Sequence, residues 1–319
     1  MKAMVSTVVL LAAASMFTGV AAQAQADTGA QGQALITVMP KHDKDPSPKI
    51  TPDEIKLMVD GKPANVAGIT SSQTSGSNLE FVVLLDDSSR SSLGIQLGDI
   101  EHFILSLPPN AKVALGYMQY GQAQMVTPLT SDRGLVVKGL HLPGGASYTN
   151  GSPYFCLSEL AKHWPSGNLH AQRDVLMVTD GIDDYERRFD PEDPYVQSAI
   201  EDAVRAHLVV YTLYWHGRGD PGSSSYVGNG GQNLLVEVTD ATGGVSYWEG
   251  FGNPVSFEPF LSDLNRRLRN QYELSFSAPA YTGKPQTVSM RFKLDKAANA
   301  KVSAPQQVYI YHSNDAPSE

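Results

Sequence analysis

The chain has 319 residues, which is long enough for two ordinary domains, and 41% of them are hydrophobic, which is enough for a sizeable core. Its formal net charge of -9 disfavours a nucleic-acid partner, because binding to phosphates requires lysine and arginine. The single cysteine, Cys156, excludes an internal disulfide, so packing must stabilise the fold.

The first 26 residues resemble a secretory signal peptide. Lys2 precedes an apolar run at residues 4–16, and alanine-rich cleavage patterns follow at residues 22–26. The apolar run is shorter than a transmembrane helix requires, and no later stretch reaches that length. We therefore expect a periplasmic or secreted protein without a transmembrane span once the peptide is cleaved. An uncleaved N-terminal anchor is the alternative.

Residues 27–78 form a predicted N-terminal β segment. The three strand-like pieces are Ala34–Met39, Glu54–Val59 and Asn65–Thr70. Asp60-Gly61 between the last two is a hairpin turn signal. The Ser, Thr and Gly residues of Ser71–Ser77 are typical of a linker.

Residues 79–270 alternate between two patterns. Continuous apolar runs are typical of strands buried on both faces, and the segments between them have apolar residues at helical spacing. The predicted strands are Phe81–Leu85, Lys112–Tyr120, Met125–Leu129 (a short edge strand), Val175–Thr179, Leu208–Tyr214 and Val245–Trp248. This alternation predicts an α/β fold with a doubly wound, mostly parallel sheet covered by helices on both faces.

Residues 271–319 return to the period of two that indicates antiparallel strands. The pieces are Tyr272–Phe276, Thr287–Leu294 and Val308–Tyr311. Six short strands bury a core better together than as two groups of three. We therefore expect this C-terminal β segment to pack with residues 27–78 as one small antiparallel β-sandwich, into which the α/β domain is inserted. Two separate β caps are the alternative.

Three loops that follow strands of the α/β region are rich in oxygen-bearing side chains. They are residues 86–91, 144–149 and 180–184. Ligands of open α/β sheets bind beyond the carboxyl ends of the strands. Carboxylates and hydroxyls without cysteine or histidine suit Mg²⁺. Because Mg²⁺ keeps waters, one coordination position can accept an acidic side chain of a protein partner, which gives binding without catalysis.

Two segments resemble the von Willebrand factor A domain family. Leu84–Ser91 resembles the strand and loop that begin such a domain, and Val175–Gly181 resembles its later aspartate-bearing strand. Thr242-Gly243-Gly244 is also similar to the family. The resemblance covers about residues 79–270 and implies the fold of this family. The flanking β segments are similar to those of secreted bacterial von Willebrand factor A-related proteins.

The resemblance also implies a metal-ion-dependent adhesion site (MIDAS), with the pattern Asp-x-Ser-x-Ser, a distant Thr and a later Asp. The matching residues are Asp86, Ser88, Thr149 (or Ser147 in its place) and Asp180. Asp86 directly follows the apolar run, as in the family, and we favour it as the leading aspartate. The alternative register of Asp87, Ser89 and Ser91 fits the pattern in full.

Arg90 is a departure from the family, because in the favoured register it replaces the second serine. A guanidinium near a divalent cation is repelled by it, and Arg90 can instead replace the cation by pairing with Asp86 or Asp180. Two hypotheses stay open. One is an exported, adhesion-type protein-binding module with a Mg²⁺ site, and the other is a metal-free structural or assembly module of the cell envelope whose site Arg90 locks.

Other motifs do not change this interpretation. The sequence has neither the Gly-x-Ser-x-Gly elbow of a hydrolase nor a Gly-Lys-Ser/Thr phosphate loop, and we expect no enzymatic activity. Arg218-Gly219-Asp220 resembles the tripeptide that integrins recognise, but it is also good turn chemistry, so an integrin partner is not expected.

Overall fold

The structure is a computed structural model. It describes residues 30–42, 45–72, 79–144, 151–168, 170–186, 189–216, 225–250, 252–295 and 299–312. The predicted signal peptide and most of the predicted linker lie outside the described residues. At Arg90, Ser91 and Ser225 only the backbone is described.

The chain contains thirteen strands and six α-helices in its described part. The N-terminal strands are β1 (Ala30–Pro40), β2 (Ile55–Val59) and β3 (Lys62–Ser71). The α/β region contains β4 (Leu79–Asp86), α1 (Leu97–Ser106), β5 (Lys112–Gln119), β6 (Gln122–Met125), α2 (Arg133–Gly139), α3 (Pro153–Lys162), β7 (Gln172–Thr179), α4 (Pro194–Arg205), β8 (Leu208–Tyr214), α5 (Ser225–Thr242), β9 (Ser246–Tyr247) and α6 (Glu258–Leu268). The C-terminal strands are β10 (Gln271–Ala278), β11 (Gln286–Leu294), β12 (Ala300–Ser303) and β13 (Gln307–His312). Short 3₁₀ helices span Pro52–Glu54 and Asp87–Gln96.

The α/β region has the predicted doubly wound sheet. Its strand order is β6-β5-β4-β7-β8-β9, and every neighbouring pair is parallel except β5 with the edge strand β6. Every residue of β4 and β7 is buried, as their continuous apolar runs predict. One face packs against α1, α2 and α6, and the other packs against α3, α4 and α5.

The edge strand lies a few residues before its predicted position. The sequence predicted an edge strand at Met125–Leu129, whereas β6 spans Gln122–Met125. Tyr120 and Gly121 both have positive φ angles, 52° and 74°, and they form the tight turn between β5 and β6. A two-residue turn starts the pairing at once, so Gln119 already pairs with Gln122.

The strands from the two ends of the chain pair with one another, and the closed antiparallel sheet that they form corrects the predicted β-sandwich. The order β10-β3-β2-β11-β13-β1 closes on itself, because β1 also pairs with β10. β1 is long enough to pair with β10 along Ala30–Thr37 and with β13 along Ala30–Gly32. Closure satisfies the backbone groups that the outer strands of two facing sheets would leave open. The core inside this closed sheet includes Ile36, Leu274 and Ile310.

One strand of this sheet was not predicted. β12 has four residues, Ala300–Ser303, and among the described strands it pairs only with β1, at the Thr37–Pro40 end. It therefore lies outside the closed ring. Its Ala-Lys-Val-Ser sequence alternates apolar and polar residues over only four positions, which is the shortest length at which this pattern indicates a strand.

The sheet order of the α/β region brings two predicted loops together. β4 and β7 are neighbouring parallel strands, with Leu85 paired to Val178. Their carboxyl ends, at Asp86 and Thr179, therefore meet at one edge of the sheet. Among the described residues, no helix is long and apolar enough to cross a membrane.

Candidate functional site

Asp86 is the centre of a buried hydrogen-bond network at the carboxyl edge of β4. The Ser88 hydroxyl and backbone N–H both donate to Asp86 Oδ1, at 2.6 Å and 2.8 Å. The Thr179 hydroxyl, from the end of β7, donates to Asp86 Oδ2 at 2.7 Å. Asp86 thereby caps the 3₁₀ helix that follows it and joins the two central strands.

Burial and a second carboxylate raise the pKa of Asp86 to about 6. The larger cause is the loss of solvent around a side chain that is 1% exposed, and the next cause is the negative charge of Asp180. The hydrogen bonds from Ser88 and Thr179 oppose this rise, because they stabilise the charged form. The site thus concentrates negative charge in a place with little water.

Asp87, which leads the alternative register, is bonded to a different part of the structure. Gln119 Nε2 donates to its Oδ2 at 3.0 Å, and the Gly144 N–H donates to its Oδ1 at 3.1 Å. Ser89 is buried beside it, and the side chain of Ser91 is not described. Asp87 therefore ties the β4 loop to the end of β5 and to the start of the 144–149 loop.

The loop after β7 is held by its own aspartates. Asp180 Oδ1 accepts from the Ile182 N–H at 3.0 Å, and Asp183 Oδ2 accepts from the Ser152 hydroxyl at 3.0 Å. Burial raises the pKa of Asp183. Gly181 has a φ of 70°, and a Cβ there would lie 2.6 Å from the Gly231 carbonyl oxygen, so this turn requires glycine.

Several predicted site residues cannot be placed. Thr149 and Ser147 lie outside the described residues, as does Arg218-Gly219-Asp220. The backbone of Arg90 lies in the 3₁₀ helix after β4, but its side chain is not described. The described part of the predicted site therefore consists of Asp86, Ser88 and Asp180, which the structure brings together.

Thr179 is the site residue that sequence analysis missed. It was counted as the last residue of a strand, yet its hydroxyl bonds to Asp86 from the neighbouring strand. The same hydroxyl accepts from the Gly181 N–H at 3.2 Å. The available signal was a polar side chain at the end of a buried strand, immediately before Asp180.

The donor set determines which ligands suit this edge. Carboxylate and hydroxyl oxygens are the ligands of hard cations such as Mg²⁺. Among the described residues, no three His, Cys, Asp or Glu side chains are grouped closely enough to hold a metal ion. A cation here would consequently need hydroxyl ligands in addition to carboxylates.

Exposed aromatic side chains lie on the loops around this edge. Tyr120 is 77% exposed and Tyr185 is 68% exposed. The Tyr185 ring lies 5.2 Å from the Phe155 ring, which lies 4.8 Å from the Tyr195 ring. Exposed tyrosines are enriched in protein interfaces, where they offer both apolar area and a hydrogen-bonding group.

Comparisons with known proteins give structural similarities. No protein-family model and no curated protein matches the chain. An aerotolerance-related membrane protein from Bacteroides fragilis is 16% identical, with 60% of this chain and 98% of that chain covered and a TM-score of 0.41. A von Willebrand factor type A structure from Catenulispora acidiphila is 11% identical. The match covers 88% of this chain and 75% of that chain, with a TM-score of 0.42. A structure of proximal thread matrix protein 1 from the mussel byssus, with a zinc-occupied MIDAS motif, is 12% identical. The match covers 62% of this chain and 47% of that chain, with a TM-score of 0.41.

Features of this chain itself define the fold of the α/β region. Its sheet has the doubly wound order, and only its short edge strand is antiparallel. The Asp86-Asp87-Ser88 segment after β4 lies beside the Thr179-Asp180-Gly181 segment after β7, as the sequence resemblance predicts. The α/β part of the chain has a von Willebrand factor A-related fold.

Proposed function

We propose that the protein is an exported protein-binding module that holds a divalent cation, Mg²⁺ in the first instance, at the carboxyl edge of its central sheet. One observation carries the proposal. Asp86 lies among the hydroxyls of Ser88 and Thr179, close enough to Asp180 for that charge to raise its pKa. Two buried carboxylates with hydroxyl neighbours are a donor set that a hard cation would stabilise.

Ser88 can bind such a cation without giving up its hydrogen bond to Asp86. A serine hydroxyl has one hydrogen to donate and two lone pairs. Ser88 can therefore donate to Asp86 and still offer its oxygen to a metal. In this proposal Asp86 and Ser88 hold the cation directly or through water, together with Thr149, and Asp180 contributes directly or through water.

The cation would supply one open position for an acidic side chain of a partner protein. Mg²⁺ usually keeps several waters, and a carboxylate can replace one of them. Tyr120 and Tyr185 would add contact area beside this bond. The arrangement supports a binding role rather than catalysis.

The predicted signal peptide supports a place in the periplasm or outside the cell.

Isothermal titration of the purified protein with Mg²⁺ and Mn²⁺ tests the proposal. We expect the parent to bind both, and Asp86→Ala to weaken binding by roughly 10-fold or more, since even indirect supports of metal sites have effects of that size. Asp87→Ala is the matched control, because it removes an adjacent carboxylate that bonds to Gln119 and Gly144. No binding by a folded parent would refute the metal site, and a larger effect at Asp87 would support the alternative register.

A metal-free structural or assembly module is the second candidate. The observation in its favour is that both Asp86 oxygens already accept hydrogen bonds from hydroxyls, so the network is satisfied without a cation. Arg90 would then complete the site by pairing with Asp86 or Asp180. In this case Arg90→Ser should lower stability or create Mg²⁺ affinity that the parent lacks. Binding of Mg²⁺ by the parent at physiological concentration contradicts this candidate.

A further inference from the structure

A groove lies where the α/β region meets the closed sheet, and none of its residues belongs to the candidate site. Its volume is about 420 Å³, which is within the range of ligand sites. One wall comprises the end of α5 and the strand β9, and the other comprises β12 and the residues after it. The Gln306 N–H donates to the Asp240 carbonyl oxygen at 3.0 Å and so joins the two walls.

The first wall presents an open strand edge. β9 is the last strand of its sheet, and within the described residues it pairs only with β8. The Thr212 N–H donates to the Val245 carbonyl oxygen at 3.1 Å, so the backbone N–H and C=O of Val245 point toward β8. Backbone groups alternate in direction along a strand. The N–H and C=O of Ser246 therefore point to the outer edge, on the side of the groove that Ser246 lines.

The second wall presents another open edge. β12 pairs with β1 and, among the described strands, has no other neighbour. The Val38 N–H points away from β12, because it donates to the Asn270 carbonyl oxygen at 2.9 Å. Val38 is paired with Val302 across the two strands, and the two residues therefore do not exchange backbone hydrogen bonds. The backbone groups of Val302 consequently point outward. Val302 also lines the groove.

Two side chains give the groove a chemical character. Asp240 lines it from α5; this residue is exposed to solvent, and partial desolvation of its carboxyl raises the pKa. The indole of Trp248 is 42% exposed and lines it from the end of β9. An open strand edge pairs with extended backbone, a carboxylate attracts a basic side chain, and an exposed tryptophan is a frequent anchor in interfaces.

We propose that this groove accepts an extended peptide segment of a partner protein as an added strand, with a lysine or arginine beside Asp240 and an apolar side chain on Trp248. Backbone hydrogen bonds with Ser246 or Val302 would orient the peptide along the strand edge. The carboxylate of Asp240 would favour peptides with a basic side chain. An extended peptide fits better than a compact ligand because each wall offers a backbone N–H and C=O that point outward from a strand edge.

A short capped peptide that alternates valine with lysine is the probe. It is titrated into the full chain, and binding is followed by the change in total tryptophan fluorescence, to which the exposed Trp248 contributes. We expect binding together with slower backbone amide exchange at Ser246 or Val302, measured by NMR. Trp248→Ala, followed by NMR shifts, should weaken binding roughly tenfold. Asp240→Asn should weaken it roughly threefold, the scale of an exposed ion pair. Glu237→Gln is the matched control, since Glu237 lies one turn earlier on α5 and is not among the described lining residues.

Two further peptides test the mode of binding. A version with N-methylated backbone amides on its pairing edge should bind far more weakly, because it cannot form the strand ladder. A version that alternates valine with glutamate should bind more weakly than the lysine peptide. Equal binding of the methylated peptide, equal effects of Asp240→Asn and Glu237→Gln, or no binding of the lysine peptide would overturn the proposal.

Discussion

At the scale of single residues, two turns of the same geometry contain different amino acids. Asp60-Gly61 joins β2 to β3 with φ angles of 49° and 71°, and Tyr120-Gly121 joins β5 to β6 with 52° and 74°. Asp tolerates the left-handed region, which is why the first turn was predicted from sequence. A bulky residue with positive φ is strained. Tyr120 therefore destabilises its turn, and its exposure places it on the surface proposed to bind a partner.

Tyr120→Asn should stabilise the protein by about 0.5–1 kcal/mol, since Asn-Gly is the preferred pair for this turn. Urea unfolding measures the change. Tyr120→Ala is the control, because alanine has the same strain in the left-handed region. If both variants stabilise the protein equally, relief of backbone strain is not the cause.

The candidate site also depends on individual residues that sequence places only in part. Asp86, Ser88 and Asp180 were predicted from the resemblance to von Willebrand factor A domains, and the structure brings them to one edge. The bond from Thr179 to Asp86 was not predicted, because it depends on β4 and β7 being neighbours in the sheet. Asp86 and Thr179 are far apart in the sequence, so no local pattern predicts that contact.

At the scale of the elements, helix α6 begins with a cap that comes from another helix. Its apolar stripe was predicted from sequence, but its N-cap residue is Phe257, which has no side-chain acceptor. Asp99 of α1 supplies one. Its Oδ2 accepts from the N–H groups of Phe257 and Glu258, at 2.8 Å and 3.2 Å, and from the Ser256 hydroxyl at 2.7 Å.

Asp99→Ala should lower the free energy of unfolding by about 1–2 kcal/mol, because it removes the cap and leaves the first N–H groups of α6 without this acceptor. Urea denaturation measures the loss. Glu101→Ala, at an exposed position of the same helix, is the matched control and should change stability by less than about 0.5 kcal/mol. Similar losses for the two variants would contradict the capping role.

At the scale of the whole molecule, a buried polar cluster connects the two sheets. Asp174, at the start of β7, accepts from Gln172 Nε2 at 3.1 Å and from Gln271 Nε2 of β10 at 2.7 Å. Gln271 also donates to the Tyr211 hydroxyl at 3.0 Å, and Gln172 bonds to Gln271. The loss of solvent around Asp174 raises its pKa from 3.8 to about 7, and the hydrogen bond from Gln271 opposes this rise.

This pKa makes the link between the sheets dependent on pH. The folded state holds a proton on Asp174 that the unfolded chain releases near pH 3.8. Its contribution to stability is therefore complete below about pH 4 and is lost as the pH rises through about 7. A shift of this size corresponds to at most about 4 kcal/mol.

Asp174→Asn should flatten the decline in stability between about pH 4 and pH 7, because the amide does not titrate. Urea unfolding at a series of pH values measures the slope. Asp263→Asn is a useful contrast. Its partners Arg266 and Arg267 lower the pKa of Asp263, although burial opposes them, so its contribution changes at more acidic pH. An unchanged slope in Asp174→Asn would show that other groups cause the pH dependence.

The sequence by itself determined the order of the strands and helices apart from β12, the doubly wound α/β class and the loops that carry acidic residues. These depend on local periodicity, which reports how each segment is buried, and on short motifs at the ends of buried strands. The tertiary structure alone decided that the flanking strands close into one ring, that Asp99 caps α6 and that Thr179 contacts Asp86. Each of these depends on which distant segments become neighbours, and hydrophobic patterning within a segment does not specify which segment that neighbour is.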